Sequence, residues 1–380
     1  MVMAKKGEIK VSILEELKDL EIKENLAGEL KRQTIPLVMW GAGEIADEVN
    51  FYLQKNNINL ADVFVDDEYY SENKLFNGKP VISMSELGKK YTQVNIILGC
   101  SNYEKMKCFE QLVFVNKVFY LFSYSYGIYE KTAFSEIAEC INEFEKVGSV
   151  FADHMSYKNY IAFLKTRVSG NNSYIFEVFK KESNYFNNDI FQVDNNEVFL
   201  DIGAYDGDTI RLFLKENSGQ YKYIYALEPD ELNRNKLKNY IENDGLQNIT
   251  VSGTVPWEQK GELHFVTNDN GQLSSLAFNV NNKMEGIKGG IKAEPLDTMF
   301  EYHEKITLIK INYLEGVKEA LQGAKNILKA HQPKLAISVG FDCKNIRCIP
   351  LLIKEINPNY KIFLRYNRGT ISTLMCYAIV

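Results

Sequence analysis

Apolar and polar positions follow two rhythms along this chain, and one succession of them occurs twice. Pro36 to Trp40 is a short continuous apolar run, closed by Gly41-Ala42-Gly43-Glu44-Ile45-Ala46 and followed by a helical pattern through Leu53. Val198-Phe199-Leu200 is a second such run. It closes at Asp201, is followed by a turn bracketed by Gly203 and Gly207, and leads into Ile210, Leu212, Phe213 and Leu214 at helical spacing. Unbroken apolar runs of this length read as strands covered on both faces, as in parallel sheets. Strand, glycine turn and helix in that order open a nucleotide-binding α/β unit. Two openings predict an α/β chain with two Rossmann-like domains.

The remaining pattern fills in both. Ser12 to Leu30 carries Ile13, Leu14, Leu17, Leu20, Ile22, Leu26 and Leu30 near one stripe and predicts a helix. Val63-Phe64-Val65 is a second strand, Gly78-Lys79-Pro80 turns into Val81-Ile82, and Asn95 to Leu98 is a further strand. From about 126 to 195 the rhythm is helical, with Phe134 to Phe144 and Tyr157 to Leu164 amphipathic. The aromatic stretch that ends with Tyr185 and Phe186 belongs first to a core and only second to a substrate mouth. Beyond it the chain predicts strands at Tyr223 to Leu227, Asn248 to Val251, Gly261 to Val266 and Ile306 to Ile311, with Ile291 to Leu296 at an edge. Lys334 to Val339 follows, then Tyr360 to Tyr366 and Ser372 to Val380 as an antiparallel final pair. The expected division is 1–125 for the helix and first Rossmann-like domain, 126–195 for a helical linker or cap, and 196–380 for the second domain.

Composition narrows the class. The 380 residues are 45% hydrophobic and 25% charged with a net charge of −6, an ordinary globular balance with no basic block for nucleic acid. No run approaches the roughly 20 apolar residues of a membrane span, and the first residues lack the apolar centre of a secretory signal. The six cysteines are scattered without a C-x-x-C pair, so reduced thiols in a cytoplasmic protein are expected and no metal site is. A small-molecule or carbohydrate substrate is the expected partner, and a homo-oligomer is left open.

Candidate chemistry concentrates at the second glycine turn. Asp201, Gly203, Ala204, Tyr205, Gly207, Asp208 and Thr209 surround it, and Glu228 closes the next strand 25 residues after Gly203. Glycines let backbone amides approach a ligand, and an acid at that strand end can accept both ribose hydroxyls. Asp201, Asp206 and Asp208 crowd acid where a dinucleotide would put its pyrophosphate. An adenosine carrying a cationic, amino-acid-like end suits such a turn better, and S-adenosylmethionine is that molecule. The first turn, with Gly41, Gly43, Glu44 and Asp66, is a candidate second nucleotide site.

The combination FLDIGAYDGDTI, ALEPD, Lys310-Ile311-Asn312, EALQGAKNIL, PKLAISVG and KIFLRY resembles the FkbM-type methyltransferases, and YFNNDIF before it fits as well. The resemblance covers most of 185–380. It implies a class I methyltransferase fold with an antiparallel final strand and methyl transfer to a hydroxyl of a sugar or similar product. It also implies that Pro229 flanks the ribose acid and that Thr254 lies near the adenine. GAGEIADEV, VFVDD and FNGKPVISMSEL resemble the small nucleotide-binding domain ahead of many bacterial sugar-modifying enzymes.

The chain departs from that family where catalysis belongs. Asn312 stands at the aspartate of I-K-x-D, Gly340-Phe341-Asp342 stands where Tyr-His is usual, and Arg365-Tyr366-Asn367 replaces Arg-His-Tyr. A base is then expected from Glu315, Asp342 or a tyrosine, with Lys310 or Asn312 positioning the acceptor. His154, His264, His303 and His331 are expected on the surface or in packing. Two alternatives stand beside the enzyme: a catalytically altered cofactor-binding protein of the same fold, and a nucleotide-sugar oxidoreductase using the Gly41 turn.

Overall fold

Residues 12–23, 26–100, 108–119, 134–169, 173–179, 185–186, 189–263, 266–267, 273–275, 290–300, 305–313, 315–367 and 373–380 are described by a computed structural model. Two compact units emerge: Met1–Glu145 with Tyr160–Val178 and Gly369–Ile371, and Lys146–Asn159 with Phe179–Arg368 and Ser372–Val380.

In the first unit the apolar runs form a sheet from β1 (Leu37–Trp40), β2 (Asp62–Val65), β3 (Leu75–Phe76), β4 (Lys79–Ser83), β5 (Val94–Leu98) and β6 (Val115–Phe119). Their order is β3-β4-β2-β1-β5-β6. All pairings are parallel except the β3–β4 hairpin. That hairpin follows from Asn77 and Gly78, both left-handed at φ 49° and 78°, which match the twist of paired strands. Strands β3 and β6 were not legible in the sequence, because β3 is two residues long and β6 exposes Asn116 and Lys117 at the sheet edge. The N-terminal pattern becomes two helices, Ile13–Lys23 and Leu26–Lys31, that bury Ile13, Leu17, Leu26 and Leu30.

The second unit contains β7 (Val198–Ile202), β8 (Tyr223–Leu227), β9 (Ile249–Ser252), β10 (Val255–Pro256), β11 (Gly261–Leu263), β12 (Val266–Thr267), β13 (Leu273–Ser275), β14 (Ile291–Glu294), β15 (Leu308–Ile311), β16 (Lys334–Ser338), β17 (Lys361–Tyr366) and β18 (Leu374–Ile379). Its main sheet runs β17-β18-β16-β15-β7-β8-β9. Strand β18 inserts between β16 and β17 and is antiparallel to both, while the other pairings are parallel. Strand β14 corrects the expectation of an edge strand. It is the middle of a separate three-stranded sheet, because Ala293 pairs with Val255 on one side and Gly261 on the other.

Phe186, Phe199 and Phe213 anchor the core under the main sheet, with Phe186 ring centroids 5.6 and 5.5 Å from the other two. Packing is thus the role of Phe186, as the aromatic stretch predicted. From β7 the chain proceeds outward through β8 and β9, and it returns on the other side as β15. The crevice at the carboxyl ends of β7 and β15 is therefore the topological switch point, where α/β sheets take their ligands.

Candidate functional site

Asp201 and Lys310 are register partners on the neighbouring strands β7 and β15, so their side chains leave the sheet on one face. Both are buried. Lys310 Nζ donates to Asp201 Oδ1 at 2.8 Å and to the Gly203 carbonyl at 2.8 Å. Asp201 Oδ2 is also buried and makes no hydrogen bond. Burial raises the Asp201 carboxyl to about 6 against the opposing ammonium. Desolvation pulls Lys310 down, but Asp201 and Tyr185 outweigh it and hold the ammonium above its ordinary value. Two of the three ammonium N–H groups are spent on these bonds, beside a buried carboxylate with one oxygen unmet.

Above this floor the chain turns three times through left-handed backbone, at Gly203, Tyr205 and Gly207, with φ 75°, 49° and 91°. Gly203 has a further constraint: a Cβ there would stand 2.5 Å from the Asn312 carbonyl oxygen. The turn is tied to the end of β8, with Gly203 and Ala204 amides donating to the Leu227 carbonyl at 2.9 and 3.1 Å. Gly207 then caps the helix Asp208–Glu216 without a side-chain bond, while Asp208 Oδ1 accepts from the Thr209 amide at 2.8 Å. Tyr205 keeps an exposed ring beside the turn.

Glu228 is nearly buried and accepts the Tyr205 amide at 2.7 Å and the Asp230 amide at 2.9 Å. Burial raises its carboxyl, opposed by those two amides. Arg234 donates to the Glu228 and Pro229 carbonyls, both at 2.8 Å, and fixes the strand end from outside. Thr254 lies past β9, its amide on Ser252 Oγ at 3.1 Å; the Ser252 carbonyl in turn accepts the Glu228 amide at 3.0 Å.

Of the three residues expected to act on an acceptor, two join this cluster. Lys310 lies beneath the turn. Asn312 lies at its side, where its Nδ2 donates to Tyr185 Oη at 3.1 Å. Glu315 is exposed; partial burial raises its carboxyl, Lys344 opposes, and Asp342 and Glu319 add to the rise. Asp342 caps the helix Cys343–Ile356 by accepting the Asn345 amide at 2.6 Å. His331 is in packing, where its Nδ1 accepts the Ile306 amide at 3.2 Å, and burial lowers it. His264 and His303 fall outside the described residues.

Sequence reasoning offered Tyr185 to a substrate mouth only as second choice after the core, and named Arg365 only within a departure from the family pattern. YFNNDIF was the available signal for the first, and the Arg365 position in β17 for the second. Arg365 grips Asp189 with Nε and Nη2 at 2.9 and 2.8 Å and Asp153 with Nη2 at 2.6 Å.

At the first turn the backbone is similar. The Gly41 amide donates to the Phe64 carbonyl at 2.9 Å, and a Cβ on Gly41, at φ 109°, would stand 2.7 Å from the Gly99 carbonyl oxygen. Gly43 caps the helix Glu44–Lys55 with no side-chain bond, and a Cβ there would meet open space. The Glu44 side chain lies outside the described residues, and Asp66 is buried just after β2. Among the described residues no group of three or more His, Cys, Asp or Glu is arranged to hold a metal, and no helix is long and apolar enough to cross a membrane.

A main sheet in this order, with an acid under a glycine turn at its switch point, defines a methyltransferase-type α/β domain. Residues 201–351 match the sequence model of the methyltransferase FkbM domain. The crystal structure of a methyltransferase FkbM from Methylobacillus flagellatus KT covers 96% of this chain and 98% of its own, with a TM-score of 0.68 at 19% identity. At that identity the likeness is one of fold. An rRNA methylase from Streptococcus thermophilus covers 49% of this chain and 88% of its own, with a TM-score of 0.32 at 16% identity. A putative methyltransferase from Streptococcus mutans, in complex with SAH, covers 50% and 91%, with a TM-score of 0.31 at 17% identity. No curated protein matches the chain.

Proposed function

We propose that the second unit binds S-adenosylmethionine and transfers its methyl group to an oxygen of a carbohydrate or glycosylated acceptor in the cytoplasm. The observation that carries the binding is Asp201 Oδ2, a buried acceptor with no hydrogen bond at the switch point. Such an atom is costly to leave unmet, and a cationic donor relieves that cost. The residues fit the cofactor's other end too. A carboxylate can accept more hydrogen bonds than the two amides Glu228 holds, which leaves acceptor capacity for ribose hydroxyls. Ala204, Tyr205 and Gly207 would shape the backbone cradle, Asp208 and Thr209 would start the helix beside it, and Pro229 and Thr254 would flank the adenosine. Bound there, the cofactor supplies an electrophilic methyl group, so the chain's task is to orient an oxygen and take its proton. The acceptor class rests on the family resemblance.

Lys310 acts here as a positioning residue, since two of its three N–H groups are held by Asp201 and Gly203. That sequestration, with Asn312 in place of an acid, favours one second reading: a protein that holds the cofactor without turning it over. A nucleotide at Gly41, Gly43, Glu44 and Asp66 is a separate proposal, supported by the open space over Gly43. Calorimetry with S-adenosylhomocysteine tests the binding claim, and calorimetry with UDP-sugars and NAD tests the first turn. Methyl transfer from labelled S-adenosylmethionine to a sugar panel then separates enzyme from binder. Absence of S-adenosylhomocysteine binding removes both readings of the second unit.

A further inference from the structure

We propose that Tyr185 accepts the proton of the acceptor hydroxyl, with Asn312 and Lys310 positioning its phenol oxygen; this rests on the methyl-transfer reading above. The direction of one hydrogen bond carries it. Asn312 Nδ2 donates to Tyr185 Oη at 3.1 Å, so the phenol oxygen is on the receiving side. An aspartate at 312 would instead hold the phenol's proton in place. The first unit contains that opposite arrangement: Tyr91 Oη donates to Asp62, and burial together with this carboxylate pushes Tyr91 up to about 12. A donated N–H favours the ionised oxygen where a facing carboxylate disfavours it.

Charges of the turn bear on Tyr185. The Lys310 ammonium lies 5.9 Å from the ring centroid and attracts negative charge on the phenol. Asp201 binds that ammonium directly, and Asp208 bears on it from the turn. Glu228, on the β8 side, also feels Lys310. On the core side the neighbours are apolar, Phe186 foremost. Asp201 compensates much of Lys310, so the residue at 312, in direct contact with the phenol oxygen, bears on its ionisation.

Position supports the role. Phe186 is fixed in the core and Asp189 on Arg365, so Tyr185 is anchored from its C-terminal side. Tyr185 is half-buried, and Asn312 abuts Gly203, so the phenol stands at the lip of the cofactor turn. Glu315, the alternative base, answers in charge to Lys344, Asp342 and Glu319 rather than to this cluster. In the step, the acceptor's O–H bond breaks and its proton goes to the Tyr185 phenolate, which becomes a phenol. The acceptor oxygen bonds the methyl carbon, and the carbon–sulfur electron pair leaves with sulfur as a neutral thioether.

The test is a carbon-13 NMR titration of the full chain with Cζ-labelled tyrosine, Tyr185 being the signal lost in Tyr185→Phe. Tyr185 is expected to ionise about one unit or more below the ordinary value of about 10, and Asn312→Asp to move it up by about one unit or more. Tyr185→Phe should leave S-adenosylhomocysteine affinity within about twofold while lowering transfer to methyl hexosides by about 10²–10⁴-fold. A Tyr185 that ionises at or above the ordinary value, unmoved by Asn312→Asp, overturns the proposal without any need for turnover. If wild-type protein does not bind S-adenosylhomocysteine, the methyl-transfer reading itself falls and the proton acceptor falls with it.

Discussion

The two glycine turns share a backbone and differ in what lies under it. Gly41 and Gly203 each donate to a carbonyl near the end of the next strand, at 2.9 Å in both cases, and each leaves no room for a Cβ beside the carbonyl just past the strand opposite. Beneath Gly203 lie Asp201 and Lys310. Beneath Gly41 the strand is Leu37-Val38-Met39-Trp40, and its register partners across β5 are Asn95, Ile96, Ile97 and Leu98. One turn therefore stands on a buried charged pair with an unmet acceptor, the other on an apolar sheet end. The backbone motif belongs to the fold, and the side chains below it decide whether the turn has chemistry.

The largest test of this contrast is Lys310→Met. It leaves Asp201 buried without its cation and should cost about 3–5 kcal/mol in chemical denaturation, with no counterpart in the first unit. Adding Asp201→Asn should recover much of the loss, and an unchanged midpoint in Lys310→Met would remove the pair from the turn's support. Next come Gly203→Ala and Gly41→Ala, each expected to cost about 1–3 kcal/mol through left-handed strain and the clash with a carbonyl. Calorimetry should show S-adenosylhomocysteine binding lost only in the Gly203 variant; equal losses would erase the distinction between the turns.

Smaller effects sharpen the ligand claim. Glu228→Gln should weaken S-adenosylhomocysteine by about tenfold, since it weakens charge-assisted hydrogen bonds worth about 1.5–3 kcal/mol. Unaltered affinity would exclude Glu228 as the ribose acid. The Asp201 carboxyl, raised from 3.8 to about 6, favours its protonated form in the fold. That contribution to stability is fully present below 3.8 and is lost as pH rises through about 6. A cationic ligand prefers the carboxylate, so S-adenosylmethionine affinity should rise by about tenfold from pH 5 to 7, and Asp201→Asn should flatten the rise. A flat profile in wild-type protein would separate Asp201 from the ligand's charge.

Much of this contrast was legible beforehand. The acid at 201, the glycines at 203 and 207 and the acid at 228 stand at fixed distances along one strand-turn-helix, and local spacing constrains local geometry. Asn312 as a departure was also visible. The bond from Asn312 to Tyr185 was not, because it joins positions 127 residues apart. Nor was the burial of Lys310, since a lysine at a strand end ordinarily reaches solvent. Strand β14 was misjudged as an edge for a similar reason, since its neighbours on both sides come from other parts of the chain.

By itself, the sequence determined the two α/β openings, the antiparallel final pair and the acidic character of the second turn, because strand periodicity and glycine placement act over a few residues. The tertiary structure decided which charges meet. Strand order and register put Lys310 opposite Asp201, left one carboxylate oxygen unmet, and brought a tyrosine from outside the sheet to the carboxamide at the end of β15. Pairings of that kind depend on distances through space, which spacing along the chain does not encode.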